Sequence, residues 1–221
     1  MGYVESVNTA VVRTDPWTGR VGRSGIDKRP VPGGVRFDTT GVHGDAVCDT
    51  KHHGAWYQAA YAFDSEELAH WARVLGRELV PGNAGENLTL TGCACSDAVV
   101  GERWRVGTAV LRVTSPRTPC RVFAGFWGEQ RLVKLFTEHG RTGAYLAVER
   151  PGVVTAGDPV EVLSRPEHGV TVAEVFAFYR RKQGGLADRV RMALADLPDE
   201  VGAEVERELR RQEERSHSTM V

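Results

Sequence analysis

The sequence lacks the marks of a secreted, membrane-spanning or nucleic-acid-binding protein. No apolar run approaches the roughly 18 to 20 residues of a membrane span, and the first residues carry neither the basic nor the apolar segment of a secretion signal. The formal net charge is −1, so there is no overall excess of positive charge for nucleic acid or an anionic membrane. We therefore expect a cytoplasmic globular protein that binds neither.

Cysteine is also scarce, since the 221 residues include only Cys48, Cys93, Cys95 and Cys120. These are too few and too scattered for a disulfide scaffold, so we expect reduced thiols of which at most one or two do chemistry. Cys93 and Cys95 would point to the same face of a strand, which makes a mutual disulfide awkward and predicts a packing role. The sequence also contains no phosphate-binding loop, dinucleotide fingerprint or Ser-His-Asp order.

Residues 1 to about 165 consist of short β-branched and aromatic runs separated by turn residues. A chain of this length fits one large domain, or one domain with a small appendage. Many short strands with turns between them predict a β-barrel or a sandwich. The predicted strands are Val4–Val12, Gly34–Asp38, Ala55–Phe63, Asn87–Thr91, Trp104–Thr114, Tyr145–Glu149 and Pro159–Leu163.

Two helical patterns interrupt this β-rich region. The first begins at Asp64, where Glu67 would complete a capping box, and its apolar face continues to Leu79. The second, weaker pattern covers Trp127 to Glu138 and ends at Gly140. We expect the first helix to cover one end of the barrel.

After Pro166 the pattern becomes helical. Thr171 and Glu174 form a capping box, Gly184-Gly185 interrupts the first helix, and two further helical patterns follow. We therefore predict a barrel domain at 1–168, a three-helix appendage at 169–215 and a disordered polar tail at 216–221. If the appendage serves dimerisation or docking of a partner, its deletion should spare the barrel; if its deletion makes the protein insoluble, it belongs to the barrel core.

The segment Ser115–Cys120, with sequence Ser-Pro-Arg-Thr-Pro-Cys, directly follows a predicted strand. Its two prolines restrict the backbone to a stiff, extended loop that holds side chains in place. Arg117 and Arg121 flank Cys120, and nearby positive charge favours the thiolate, which ligates soft metals. Cys120 is therefore a candidate reactive thiol; a half-buried structural cysteine is the alternative.

A second candidate region contains three histidines and a lysine beside glycines: His43, Lys51, His52 and His53. Cationic donors beside glycine suit a phosphate or carboxylate, because glycine lets backbone N–H groups approach the anion. A zinc site is less favoured, since the histidines lack the spacing of common zinc motifs and no Cys-x-x-Cys accompanies them. Solvated loop histidines are the remaining alternative.

Gly85-Glu86-Asn87 precedes a predicted strand, where a turn places an acid and an amide near the strand mouth. On its own this pattern is weak. Asn87 equally fits a residue that caps its own turn, and Glu86 fits a solvated or ion-paired carboxylate.

Four short motifs, taken together in their order, resemble the signature of the MOSC domain, a family named from the C-terminal domain of molybdenum cofactor sulfurase. The resemblance covers about residues 41–164, and the helices from Val170 onward resemble the appendage of the YiiM-like branch. The motifs are Gly44-Asp45, Lys51-x-His53-Gly54, Gly85-Glu86-Asn87 and Pro116-Arg117-x-Pro119-Cys120.

The resemblance implies a mainly β protein: a MOSC-type β-barrel with a few covering helices, followed by a C-terminal three-helix appendage. It implies binding of the molybdenum cofactor (molybdopterin), with Cys120 as thiolate ligand to molybdenum. The side chains that would line the cofactor site are Lys51, His53, Asn87 and Arg117, with Ser115 and Thr118 as supporting donors.

The chain departs from the family at one position, because it has His53-Gly54-Ala55 where the family commonly has His-Gly-Gly. A methyl group at Ala55 would narrow or re-aim this loop, and with it the access of substrate or the hold on the cofactor.

The resemblance favours a molybdoenzyme oxidoreductase that reduces N-hydroxylated small molecules, such as hydroxylaminopurines or amidoximes. The sequence has no flavin or iron–sulfur motif, so we expect electrons from a separate reductase or ferredoxin-like protein. Two alternatives remain: transfer of sulfur through a Cys120 persulfide, and a non-catalytic carrier of the cofactor, which the Ala55 departure supports. A homodimer is also compatible with the sequence.

Overall fold

The computed structural model describes residues 2–219, with side chains through residue 215. Within this range the chain forms eleven strands and six α-helices. The strands are β1 (Gly2–Ala10), β2 (Lys28–Pro30), β3 (Val35–Asp38), β4 (Gly41–Val42), β5 (Ala60–Asp64), β6 (Leu88–Thr91), β7 (Arg103–Val106), β8 (Ala109–Pro116), β9 (Ala144–Arg150), β10 (Gly152–Val154) and β11 (Pro159–Ser164). The helices are α1 (Ser65–Leu75), α2 (Arg121–Phe126), α3 (Leu132–His139), α4 (Val172–Tyr179), α5 (Ala187–Arg191) and α6 (Asp199–Thr219).

Seven of these strands form a closed barrel in the order β11-β7-β8-β9-β5-β6-β1. Pairing of Gly2 with Val160 and of Tyr3 with Pro159 joins β1 to β11 and closes it. All neighbours are antiparallel except β5 and β6, while β2 extends from β1 and β10-β3-β4 form a separate small sheet. This confirms the predicted β-barrel with covering and C-terminal helices. Among the described residues, no helix combines the length and apolar character needed to cross a membrane.

Alternation along the strands places the core inside the barrel. In β7, Trp104 and Val106 are buried, while Arg103 and Arg105 face outward and pair with glutamates of β9 and β11. The sequence predicted one strand over Trp104–Thr114, which is wrong, because Gly107 has φ of +57° and turns the chain into a β7–β8 hairpin.

The strand predicted at Ala55–Phe63 also differs from the structure. Its first half forms a 3-10 turn at Trp56–Gln58, and the strand starts only at Ala60. The short strands β2, β4 and β10 were not predicted. With two to three residues each, they are too short to show the two-residue periodicity that identifies a strand.

The buried side chains of α1, Leu68 and Trp71, pack with Tyr61 and Phe63 of β5 in a cluster separate from the one inside the barrel. That α1 covers one end of the barrel stays a prediction.

The predicted capping box at the start of α1 is wrong. The Asp64 carboxylate accepts the backbone N–H of Cys95 instead of capping the helix. Glu67 pairs with His139 and Arg141 rather than reaching back to the helix start. The helix ends at Leu75, because the following Gly76 has a left-handed backbone with φ of +62°, so the predicted apolar face stops before Leu79.

Helices α4, α5 and α6 follow the barrel, and α4 begins with the predicted capping box. The Thr171 hydroxyl accepts the Glu174 N–H at 3.2 Å, and the Glu174 carboxylate accepts the Thr171 N–H at 2.8 Å. Helix α6 continues through Thr219, so the tail predicted at 216–221 begins within that helix. Met220 and Val221, the end of that predicted tail, lie outside the described residues.

Candidate functional site

The loop between β8 and α2 carries the candidate thiol. Ser115 is buried in β8 opposite Tyr145, and the chain then leaves the barrel at Pro116. Cys120 is a half-buried free thiol at the residue before α2, where its extended backbone (φ −135°, ψ 171°) leads into the helix. Thr118 lies with its hydroxyl 3.3 Å from the Tyr179 hydroxyl of α4. This loop therefore rests on both the barrel and the C-terminal helices.

Arg117, in the same loop, is a buried cation. Only 5% of its surface is exposed, and its guanidinium carbon lies 4.0 Å from the Phe123 ring centroid and 5.4 Å from that of Tyr61. Aromatic faces attract a guanidinium but accept no strong hydrogen bond from it. Its Nη1 atom is buried and has no hydrogen-bond partner within the described chain. A buried donor of this kind calls for an acceptor from outside the protein.

Lys28 and Asp45, both from the N-terminal part of the chain, form a buried ion pair at one side of the site. The Asp45 carboxylate accepts hydrogen bonds from Lys28 Nζ, from the Ala10 N–H at 2.8 Å and from the Asn87 side-chain amide at 2.8 Å. Burial lowers the pKa of Lys28, and the negative charges of Asp45 and Glu86 oppose that shift. The sequence did not single out Lys28, because it lies in the short strand β2 and carries no recognisable motif.

Asn87 is fully engaged by the protein. Its Nδ2 atom donates to the Asn8 carbonyl at 3.2 Å as well as to Asp45, and its Oδ1 atom accepts the Tyr61 N–H at 3.2 Å. Both amide hydrogens are therefore used within the chain. Asn87 holds Asp45 and joins the ends of two strands, while its contact with a cofactor stays a prediction.

Glu86 organises the loop before β6. Its carboxylate accepts the N–H groups of Gly82 at 2.6 Å and Ala84 at 2.9 Å and the Thr89 hydroxyl at 2.7 Å. Complete burial raises the pKa of Glu86 to about 7, against the effect of these donors. At Gly82 a Cβ atom would lie 2.3 Å from the Lys28 carbonyl oxygen, so glycine lets this loop approach β2.

His53 is influenced by the positive charges of both Arg117 and Lys28. Burial lowers the pKa of His53, and the positive charge of Arg117 and, more weakly, that of Lys28 lower it further. Lys51 and His52 of the same loop are exposed, and the His52 ring pairs with a neighbouring aspartate. Of the three basic side chains in this loop, His53 is half-buried, whereas Lys51 and His52 are exposed.

His43 does not join this cluster through any contact seen in the structure. It is exposed after β4, where its N–H donates to the Arg36 carbonyl at 2.8 Å. Among the described residues, no group of three or more histidine, cysteine, aspartate or glutamate side chains is placed to hold a metal ion. The histidines therefore form no zinc site in the part of the chain that the structure describes.

Two tyrosines that the sequence had identified only as strand residues belong to the site. The Tyr61 and Tyr145 rings lie 5.5 Å apart, and Tyr61 donates its hydroxyl to the Thr142 carbonyl at 2.8 Å. Burial raises the pKa of Tyr145 to about 12, with Arg117 opposing the shift and Cys120 adding to it. Neutral phenols thus line the side of Arg117 and Cys120 that faces the barrel.

The fold and the site define a small β-barrel protein with a buried basic region beside a half-buried thiol. The model of the MOSC domain matches residues 49–161, and the chain belongs to the MOSC domain family. MOSC domains are associated with binding of the molybdenum cofactor.

Similar proteins agree with this assignment. YflK of Bacillus subtilis (strain 168) is 32% identical over 76% of both chains, and YiiM of Escherichia coli (strain K12) is 31% identical over 70% of both. A Gibberella moniliformis (strain M3125 / FGSC 7600) protein named "Reductase" is 27% identical over 79% of this chain and 32% of its own length. The crystal structure of YiiM from Geobacillus stearothermophilus has the same fold, with a TM-score of 0.78 at 24% identity over 95% of this chain and 100% of that one.

The departure at Ala55 falls where the backbone tolerates a side chain. Gly54 has φ of +83°, which favours glycine, whereas Ala55 has φ of −63° and ψ of 154°, an extended conformation open to any residue. Alanine at position 55, where the family commonly has glycine, therefore requires no change of backbone conformation in this loop.

Proposed function

We propose that the protein is a molybdenum-cofactor-dependent reductase of N-hydroxylated compounds, with Cys120 as the thiolate ligand of molybdenum. The observation that carries the proposal is Arg117, a buried cation with an unpartnered Nη1 atom three residues from a half-buried free thiol. The molybdenum cofactor presents a phosphate, which suits such a cation, and a soft metal centre, which suits a thiolate. The residues present therefore fit the cofactor, and the relative named "Reductase" supports the class of reaction.

The side chains that would hold the cofactor fall into two groups. Cys120 would ligate the metal, while Arg117 and His53, together with the exposed Lys51, would meet its anionic end. Lys28, which the sequence did not predict, influences His53 but is already paired with Asp45. Ser115, Thr118 and Asn87 are the remaining proposed site residues; the last two already make hydrogen bonds within the chain that keep the site in shape.

When bound, the cofactor supplies two-electron chemistry, in which an N–OH group, two electrons and two protons give an N–H group and water. The protein contributes position and shielding from solvent. The tyrosine pair Tyr61 and Tyr145 covers the side of Arg117 that faces the barrel. We infer that the electrons come from a separate reductase or ferredoxin-like protein, since the chain contains no flavin or iron–sulfur motif.

The test compares the wild-type protein with Cys120→Ala after purification from a host that makes the cofactor. We expect about one molybdenum and one pterin per wild-type chain, and loss of most of the metal in Cys120→Ala because the thiolate is its protein ligand. Cys93→Ala serves as the matched control, since Cys93 is also a half-buried free thiol. Its metal content should equal that of the wild type.

Reduction of a hydroxylaminopurine with dithionite-reduced viologen as electron source tests the reaction itself. Bound pterin without metal in the wild type would identify a cofactor carrier instead of a reductase. A labile sulfur atom on Cys120, with neither metal nor pterin, would identify a sulfur transferase.

A further inference from the structure

The end of α4 and the middle of α6 form a charged surface that the proposed reaction does not use. A shallow cavity of about 200 Å³ lies between them, with Tyr179 and Glu204 and Glu208 among its lining residues. We call its four cationic side chains the basic surface; they are Arg180, Lys182, Arg207 and Arg211.

Positive charge dominates the basic surface. Glu208 is only 1% exposed and is already paired with Lys182 at 2.6 Å and with Arg211 at 3.8 Å. Arg180 lies over the Tyr179 ring, and Arg207 donates to a carbonyl of its own helix; neither has a carboxylate partner among the described residues. Four cations against two carboxylates leave an excess of two positive charges, although the whole chain has a net charge of −1.

The basic surface lies beside the candidate site. Tyr179 lines the cavity and also contacts Thr118 through the two hydroxyl groups, 3.3 Å apart. Cys120 follows Thr118 by two residues, a backbone span of at most about 7 Å. The surface is also held in shape, because Lys182 has a left-handed backbone (φ +59°) while its Nζ atom donates to the Tyr179 carbonyl at 2.7 Å and to Glu208.

We propose that the basic surface docks the acidic face of a ferredoxin-like iron–sulfur protein that delivers electrons to the site; this inference rests on the proposed function. Electron-transfer partners form small, transient interfaces, and complementary charge brings them together rapidly. The basic surface is positively charged although the whole protein is nearly neutral. Tyr179 connects it to the loop that carries Cys120, so its charge and its position both suit such a contact.

The test measures binding of an acidic [2Fe–2S] ferredoxin to the purified full-length protein at low and at physiological ionic strength. We expect saturable binding that weakens with salt, because the Debye length falls to about 8 Å at 0.15 M. The double variant Arg180→Glu/Arg207→Glu should weaken binding by about tenfold or more at low salt. Arg73→Glu/Arg77→Glu is the matched control: it makes the same charge change on exposed residues at the end of α1 and should bind like the wild type.

Equal affinity of wild type and the Arg180/Arg207 variant, equal losses in both double variants, or no binding by the wild type would each overturn the inference. Binding of inorganic phosphate at the basic surface without binding of ferredoxin would overturn it too, and would identify a site for a small anion. Viologen-driven reduction of hydroxylaminopurine is measured on the same samples. Its absence from the wild type would count against the proposed function, whereas ferredoxin binding decides the docking surface separately.

Discussion

At the scale of single residues, Arg117 combines two properties that oppose each other. Its charge is almost completely withdrawn from water, yet its Nη1 atom meets no acceptor among the described residues. A buried charge without a partner destabilises the folded state, because its lost hydration is not replaced. Such a residue contributes little to folding, so its arrangement fits the binding of an anion better than the support of the barrel.

Arg117→Met should therefore separate stability from binding. We expect the cofactor-free variant to be at least as stable as the wild type, because methionine fills the space between Phe123 and Tyr61 without a buried charge. Cofactor content should fall about tenfold or more, as measured by the fluorescence of the oxidised pterin. Urea unfolding of the cofactor-free proteins gives the stability.

The control for this prediction is Arg112→Met. Arg112 is also partly buried, but it donates to the Asp196 carbonyl at 2.8 Å and pairs with the Asp196 carboxylate. Its loss should lower the free energy of unfolding by about 1 to 3 kcal/mol and leave pterin binding unchanged. If Arg117→Met destabilises the protein as much as Arg112→Met, Arg117 is a structural residue.

At the scale of elements, the β5–α1 junction shows a contact that overrides a local motif. Asp64 has the residue type and the position of a helix cap, and Glu67 has the spacing of its partner. The Asp64 carboxylate instead accepts the N–H of Cys95, 31 residues further along the chain. Its other oxygen, Oδ2, is buried without a partner among the described residues. Burial raises the pKa of Asp64 to about 6.

Asp64→Asn should remove one component of the pH dependence of stability. Because the pKa of Asp64 is about 6 in the folded state and 3.8 is its ordinary value, the folded state holds the proton more tightly. The stability gained from this tighter proton binding is fully present below pH 4 and is lost as the pH rises to about 6. Asn cannot ionise, so the variant should gain up to about 3 kcal/mol relative to the wild type between those values.

Urea unfolding of both proteins at pH 4, 5, 6 and 8 measures the difference. Asp97→Asn is a matched control, since Asp97 is exposed and pairs with Arg141 at the surface. Its effect should be small and screened by salt. A constant difference between wild type and Asp64→Asn across this range would contradict the raised pKa.

The elements also show how far the sequence alone leads. The longer strands and helices could be predicted because their apolar residues recur over enough positions to show a period. Val4–Ala10 in β1 and α4 with its Thr171 cap are examples. The stiff loop of Cys120 followed from its two prolines. Lys28 could not be found, because β2 exists only through its pairing with β1 and three residues carry no period. The exposure of Lys51 and the engagement of Asn87 depend on long-range contacts that local patterns do not contain.

At the scale of the whole molecule, the helices after the barrel and the barrel itself share a core. Val172, Val175 and Phe178 of α4 belong to the same cluster of buried side chains as Leu111 and Val113 of β8. The change from strand to helix patterns near Pro166 therefore marks a change of secondary structure inside one cluster. The domain boundary proposed at 168/169 then separates two structural layers, and the appendage should not unfold independently of the barrel.

Phe178→Ala tests this coupling. The side chain is fully buried, so its truncation should lower the free energy of unfolding by about 3 to 5 kcal/mol, and the protein should still unfold in one transition when followed by fluorescence and by circular dichroism. Leu163→Ala is the control, because Leu163 is 39% exposed on β11 and its loss should change stability by only about 0.5 kcal/mol. If α4–α6 were an independent unit, Phe178→Ala would split unfolding into two transitions, with the helical signal lost first and the barrel signal at the midpoint of the wild type. A single shifted transition would instead show that the barrel and the helices unfold together. The loop of Cys120, which contacts the helices through Thr118 and Tyr179, would then keep its shape only while both layers are folded.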